Sequence, residues 1–202
     1  IARHGMEFLR AHGRDGDGNW YFSLNRDGDP LVQPYNVFTD CFAAMAFSQY
    51  ALASGDDEAR EIALTTFRNI LRRKDNPKGS YSKIVPWTRP MRSFALPMIL
   101  LNVSREMEGL IPPEELQQMA DGWIAEISTL FIDRETGLVF EHVAPDGSHP
   151  DTFDGRLLNP GHGLEGMWFL LEHALLRNDR PLADISVDTI LHILEHAWDP
   201  EY

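Results

Sequence analysis

The chain has 202 residues, 43% of them hydrophobic and 24% charged, with a formal net charge of −13. That balance fits a globular protein with a sizeable core and excludes a nucleic-acid or anionic-membrane partner, since such surfaces are met by clustered Lys and Arg. The longest apolar runs, such as Phe94 to Val103, are too short to span a bilayer, and the single Cys41 cannot form an internal disulfide, which is compatible with a reducing, cytoplasmic setting.

Residues 1–12 read as a helix with Ala2, Met6 and Leu9 on one side, ended by Gly13. Arg14 to Gly18 is a turn, and Trp20–Leu24 with Pro30–Val32 predicts a small hairpin across Asn25–Gly28. The D-G-D-G-N string at Asp15 invites a calcium-loop reading, but the EF-hand loop closes on a Glu and here Phe and Ser fill that region. Two helices follow, over 37–53 and 57–73, split where Gly55 stops one and Asp56 caps the next. The first is apolar nearly all round and is expected to be buried; the second carries its charges on one face and is expected outside. Cys41, inside F-T-D-C-F-A-A-M, reads as a small buried residue and not a nucleophile.

Residues 74–90 form a loop with Trp87. A second helix pair is predicted over 91–108 and 113–131, the latter announced by Pro112, Pro113 and two Glu residues. Residues 137–143 alternate and turn at Pro145-Asp146-Gly147, a second hairpin. The third helix pair covers 162–176 and 182–197. Turn-rich breaks recur near Asp15, Asp75, Asp133 and Asp199, at a spacing of roughly 60 residues, each between one helix pair and the next. Hairpins of this kind cannot bury their inner faces alone, so neighbours must continue the array. The expected architecture is all-α: three helical hairpins in an arc, with short β-hairpins between pairs and the helices from Val37, Met91 and His162 on the concave side. Residues 1–202 are expected to be one partial domain of a longer protein, and the piece by itself to be poorly stable or self-associating.

Chemistry concentrates in Gly155 to Leu171, G-R-L-L-N-P-G-H-G-L-E-G-M-W-F-L-L. Asn159 suits an N-cap and Pro160 the first helical position. His162 then sits in the first turn with Glu165 one turn along. An imidazole at a helix N-terminus tends to stay neutral and available as a base. The bland alternative is a structural His, with Glu165 a solvated or helix-dipole carboxylate. The string R-L-L-N-P-G-H-x-x-E-x-x-W-F-L-L resembles the signature of the N-acylglucosamine 2-epimerase family. So do D-C-F-A-A-M-A-F from Asp40, S-F-A-L-P-M-I-L-L from Ser93 and W-D-P-E-Y from Trp198, in the family's order.

That resemblance implies an α/α toroid of six helix pairs, roughly twice this length, of which this chain is about half. It implies C2 epimerisation of an (N-acyl)hexosamine such as N-acetylglucosamine and N-acetylmannosamine, with the isolated fragment inactive. Two acid/base groups on opposite faces are needed, and a positioned one is worth about 10² to 10⁴ in rate. By resemblance His162 is one and a second His lies beyond Tyr202. Glu165 is a partner for the sugar or an imidazole. Arg156 corresponds to a substrate-side cation for enediolate charge, unless it is a plain surface residue, and Arg92 lies where an inner helix opens on the cavity. That region lacks the additional His of the disaccharide-epimerase and ketose-isomerase relatives, which leans toward the N-acylglucosamine branch. No cofactor or metal is implied; the partner is a small sugar, with a homodimer expected for the full-length protein.

Trp20, Trp87 and Trp168 offer aromatic surface suited to sugar faces, though the helical spacing of Trp168 favours the core. Asn159 reads as a cap and not a substrate ligand. His192, Glu195 and His196 match the H-x-x-E-H pattern of a zinc protease, but a third ligand is needed, and a chance match on a polar outer helix is the stronger reading. Rival readings are an aldose–ketose isomerase or disaccharide 2-epimerase of the same family, a glycoside hydrolase or lyase on an α/α toroid, which needs two carboxylates across the scissile bond, and non-catalytic binding.

Overall fold

The structure, a computed structural model, describes residues 1–85 and 87–201. Pro86, in the predicted loop, and Tyr202, the last residue of W-D-P-E-Y, lie outside the described residues. The chain forms two compact units, one of residues 1–85 with 103–117 and one of residues 86–102 with 118–202. No helix among the described residues is long and apolar enough to cross a membrane.

The first unit opens with α1 (Ala2–His12) and the short antiparallel pair β1 (Ser23–Leu24) and β2 (Pro30–Val32), in the predicted register region. In the preceding turn the Asp15 carboxylate accepts from the backbone N–H groups of Asp17 and Asn19 at 2.9 and 2.8 Å, so the acidic string closes on itself. α2 (Val37–Ser54) and α3 (Asp57–Arg73) pack as a helical hairpin. Gly55, at φ 73°, takes the left-handed conformation that ends α2, and the Asp56 side chain caps α3 by accepting from Ala59 N at 2.9 Å. Trp20 is buried here, its ring 5.2 Å from that of Phe47 and its Nε1 donating to Thr66 Oγ1 at 3.1 Å. It is therefore a core residue and offers no face to a sugar. α2 is buried less evenly than its composition predicts: Phe42 and Leu52 are exposed, because a helix apolar on all sides gives no periodic signal about which side faces the core.

α4 (Ala95–Glu106) and α5 (Pro113–Glu126) contribute to both units. The predicted helix over 91–108 begins late, because Arg92–Ser93 are extended and form β3. The predicted helix over 113–131 leaves α geometry at Ile127, where five residues run as a π-helix to Phe131.

In the second unit β3 pairs antiparallel with β4 (His142–Val143), Arg92 opposite Val143 and Ser93 opposite His142. The predicted second hairpin is thus corrected in its pairing. The turn at Pro145–Gly147 forms, with Ala144 N donating to Ser148 O at 2.9 Å, but β4 takes its partner from the segment before α4. α6 (Pro160–Arg177) and α7 (Arg180–Ala197) form the last helical hairpin, turned by Asn178 at φ 55° and capped by Asp179. Phe94, Met98, Leu101, Phe131, Val139, Val143, Met167 and Leu170 make a continuous core beneath them.

Candidate active site

Residues 139–143 alternate, and the alternation decides which side chains enter the core. Val139, Glu141 and Val143 share the inward face at 4%, 7% and 0% exposure. The Glu141 backbone is fastened on both sides, its N–H donating to Leu157 O at 3.0 Å and its carbonyl accepting from Phe94 N at 2.9 Å. A carboxylate on that face is costly unless it finds a donor.

The donor comes from α6. Asn159, extended at φ −122°, ψ 92°, accepts from His162 N through Oδ1 at 3.3 Å, and Pro160 fills the opening position of the helix. This sets His162 in the first turn. Glycine lets the helix lie close on the core: a Cβ at Gly166 would meet Phe94 Cζ at 2.3 Å, and one at Gly163 would meet Ile193 Cδ1 at 2.9 Å. From that position His162 Nδ1 reaches Glu141 Oε2 at 2.8 Å. The Glu141 side chain is 9% exposed and the imidazole 39%. A carboxylate only accepts, so against it Nδ1 is the donor and Nε2 is left to take or deliver a proton.

The other sequence candidates are placed around this pair without being bonded to it. Glu165 is exposed one turn along α6, and Trp168, three residues further, is also exposed, contrary to the core role its spacing favours. Together they give α6 an exposed carboxylate and indole beyond His162 on neighbouring turns. Arg156 sits in a single turn of 3-10 helix and pairs with Asp151. Arg92, on β3 and not on a helix, donates to Glu126 Oε1 at 2.6 Å. Neither guanidinium is paired with His162 or Glu165 among the described residues. Asn159 is the cap it was expected to be.

His192 and His196 lie exposed on α7, and no group of three or more His, Cys, Asp or Glu is gathered among the described residues, so the zinc reading has no third ligand there. Cys41 is fully buried, and burial first, with the Asp40 charge second, pushes its thiol up to about 12, far from a nucleophile's range.

The N-acylglucosamine 2-epimerase (GlcNAc 2-epimerase) family profile matches residues 1–202. The chain belongs to this family. It is 32% identical over 186 residues to the N-acylglucosamine 2-epimerase of Bos taurus, an alignment covering 90% of this chain and 44% of the bovine protein. The chain spans about half the length of the curated relatives it matches, as with the rat protein of the same name, 30% identical and 49% covered. Among solved structures, cellobiose 2-epimerase from Bacillus thermoamylovorans superposes with a TM-score of 0.78 at 15% identity, covering 98% of this chain and 55% of that one. At such identity the likeness shows the fold: an all-α architecture that is about half of an (α/α)6 toroid, with short strand pairs between helix hairpins.

Glu141 is the residue that sequence reading missed. Its signal was the alternation itself, which puts a carboxylate between Val139 and Val143 on a face otherwise apolar.

Proposed function

We propose that the full-length protein carrying this chain is a sugar 2-epimerase acting on an N-acylhexosamine, with His162 as one of its two proton-transfer groups. Family membership and the names of the curated relatives support the reaction class. The observation that carries the role of His162 is its imidazole in the first turn of α6, held through Nδ1 and partly open to solvent on the rest of the ring.

Epimerisation at C2 begins from the open-chain aldehyde. The base removes the C2 proton, and the C–H electron pair forms the C1–C2 double bond while the carbonyl electrons move onto O1 as an enolate, C2 keeping its acylamino group. Return of a proton to the opposite face of C2 inverts the centre, and that second group is expected from outside these residues. In this reading the exposed Glu165 hydrogen-bonds sugar hydroxyls. Arg156 and Arg92 are cations available to the enolate oxygen, since a guanidinium has five N–H donors and pairing with one carboxylate leaves others free. The reaction is a proton transfer within one carbon skeleton, which calls for no cofactor, and a homodimer of the full-length protein belongs to the same proposal.

The test is incubation of the full-length protein with N-acetylglucosamine in deuterium oxide. The expected result is the C2 epimer with deuterium at C2. Unlabelled, unconverted sugar would overturn the assignment, as would a ketose formed from an unsubstituted aldohexose, or reducing ends released from an oligosaccharide, in parallel incubations and in place of N-acetylglucosamine turnover.

A further inference from the structure

Glu141 is buried, lies in the segment just before β4 and not in the helix that carries the histidine, and falls within no sequence motif. We infer that Glu141 is a positioning residue that holds the His162 ring with its proton on Nδ1 and so makes Nε2 the atom that exchanges protons with substrate. The inference rests on the epimerase reading for its catalytic consequence, but the geometry stands apart from it.

Three observations carry it. The carboxylate lies on the face shared by Val139 and Val143, where an apolar side chain would pack without desolvating a charge, so stability gives no reason for an acid there. Its backbone is clamped between Leu157 and Phe94, so the carboxylate reaches the ring from a fixed origin. The same backbone stretch binds the sequence just before α6, since Phe140 forms an isolated bridge with Leu158, which ties the segment carrying Glu141 to the start of the helix carrying His162. The 2.8 Å contact therefore fixes both ring rotation and tautomer. Glu141 does not reach substrate in this account; it acts through His162.

The experiment compares wild type with Glu141→Gln and Glu141→Leu in the full-length protein. Proton-detected nitrogen NMR of the His162 ring, assigned by its loss in His162→Asn, reports the tautomer; steady-state kinetics on N-acetylglucosamine reports its consequence. The expected wild-type ring carries hydrogen on Nδ1, and in both variants that signal gives way to the Nε2–H form or a mixture. With it kcat falls by about 10- to 100-fold while KM stays within about two-fold, the usual scale for losing an orienting partner. Leu at 141, on the inward face between Val139 and Val143, suits the buried position and serves if the amide variant does not fold.

An Nδ1–H signal unchanged in both variants overturns the inference, as does a kcat within about two-fold of wild type. A wild-type protein that never exchanges C2 hydrogen overturns the epimerase reading and with it the catalytic consequence, while the NMR result still decides whether Glu141 sets the tautomer.

Discussion

Each unit of the molecule buries a carboxylate against a cationic or cation-capable partner, and the two pairs differ in every respect that bears on chemistry. In the first unit Asp40 is 0% exposed at the opening turn of α2 and meets Arg73, at the end of α3, with 3.1 Å between Nη1 and Oδ1. The same guanidinium nitrogen donates to Asn19 Oδ1 at 2.7 Å, and Asn69 donates to that oxygen at 3.0 Å. Arg73 stays charged at any accessible pH, so this partner has no proton to trade, and the cluster ties a turn to two helices. In the second unit the partner is an imidazole with an open edge. A buried acid beside an arginine meets a partner of fixed charge; a buried acid beside a partly exposed histidine meets one able to take up or give up a proton, which is what the proposed role of His162 requires.

Removing the cation should break the first pair most severely. Arg73→Ala leaves Asp40 buried without its charge partner and is expected to destabilise the protein by about 3 kcal/mol near pH 8, read from urea unfolding. Glu141→Leu, by contrast, should leave the unfolding midpoint nearly unchanged, which sharpens the contrast between the two acids.

The Asp40 pair has a pH signature as well. Burial first, opposed by Arg73 and the Trp20 backbone N–H, pushes the Asp40 carboxyl from 3.8 up to about 6. The folded state thus holds this proton more tightly than the unfolded state. Its contribution to stability is fully present below about 4 and is lost as pH rises through about 6, a change of roughly 3 kcal/mol. Subtracting the unfolding profile of Asp40→Asn from that of wild type should isolate a limb that falls between pH 4 and about 6 and is flat above it. A difference that rises over that range would reverse the assignment.

A smaller effect is expected from the scaffold of the second pair. Gly166→Ala puts a methyl group 2.3 Å from Phe94 Cζ, so helix or ring must shift, at a cost of about 1 to 3 kcal/mol. Because the shift moves α6, catalysis should fall along with the melting temperature. An alanine variant of wild-type stability would show that α6 is not seated as described.

Local signals made the helices legible. Asn159-Pro160, Gly55-Asp56 and the Pro113-Glu-Glu start each combine a capping or turn residue with a break in pattern, and each falls at an observed boundary. Pairings between distant segments were not legible. Arg92-Ser93 looked like a helix start because M-R-S-F runs into an apolar stretch, and its strand partner lies beyond α5, where no local pattern points. Trp168 was misread for a related reason: a helix apolar on every side does not reveal which side is covered. The family motif brought His162 to notice, whereas Glu141, outside the motif, needed the fold to reach it.

The central claim is that the His162 imidazole moves a proton at C2. His162→Asn keeps a polar group of similar size in the first turn of α6 but cannot shuttle protons at neutral pH. Measured on the full-length protein with N-acetylglucosamine in deuterium oxide, it should lower C2 epimerisation by about 10² or more with the fold retained. Residual deuterium exchange without inversion would assign His162 to one face of the sugar. Epimerisation at a near wild-type rate in His162→Asn would contradict the account at its central residue.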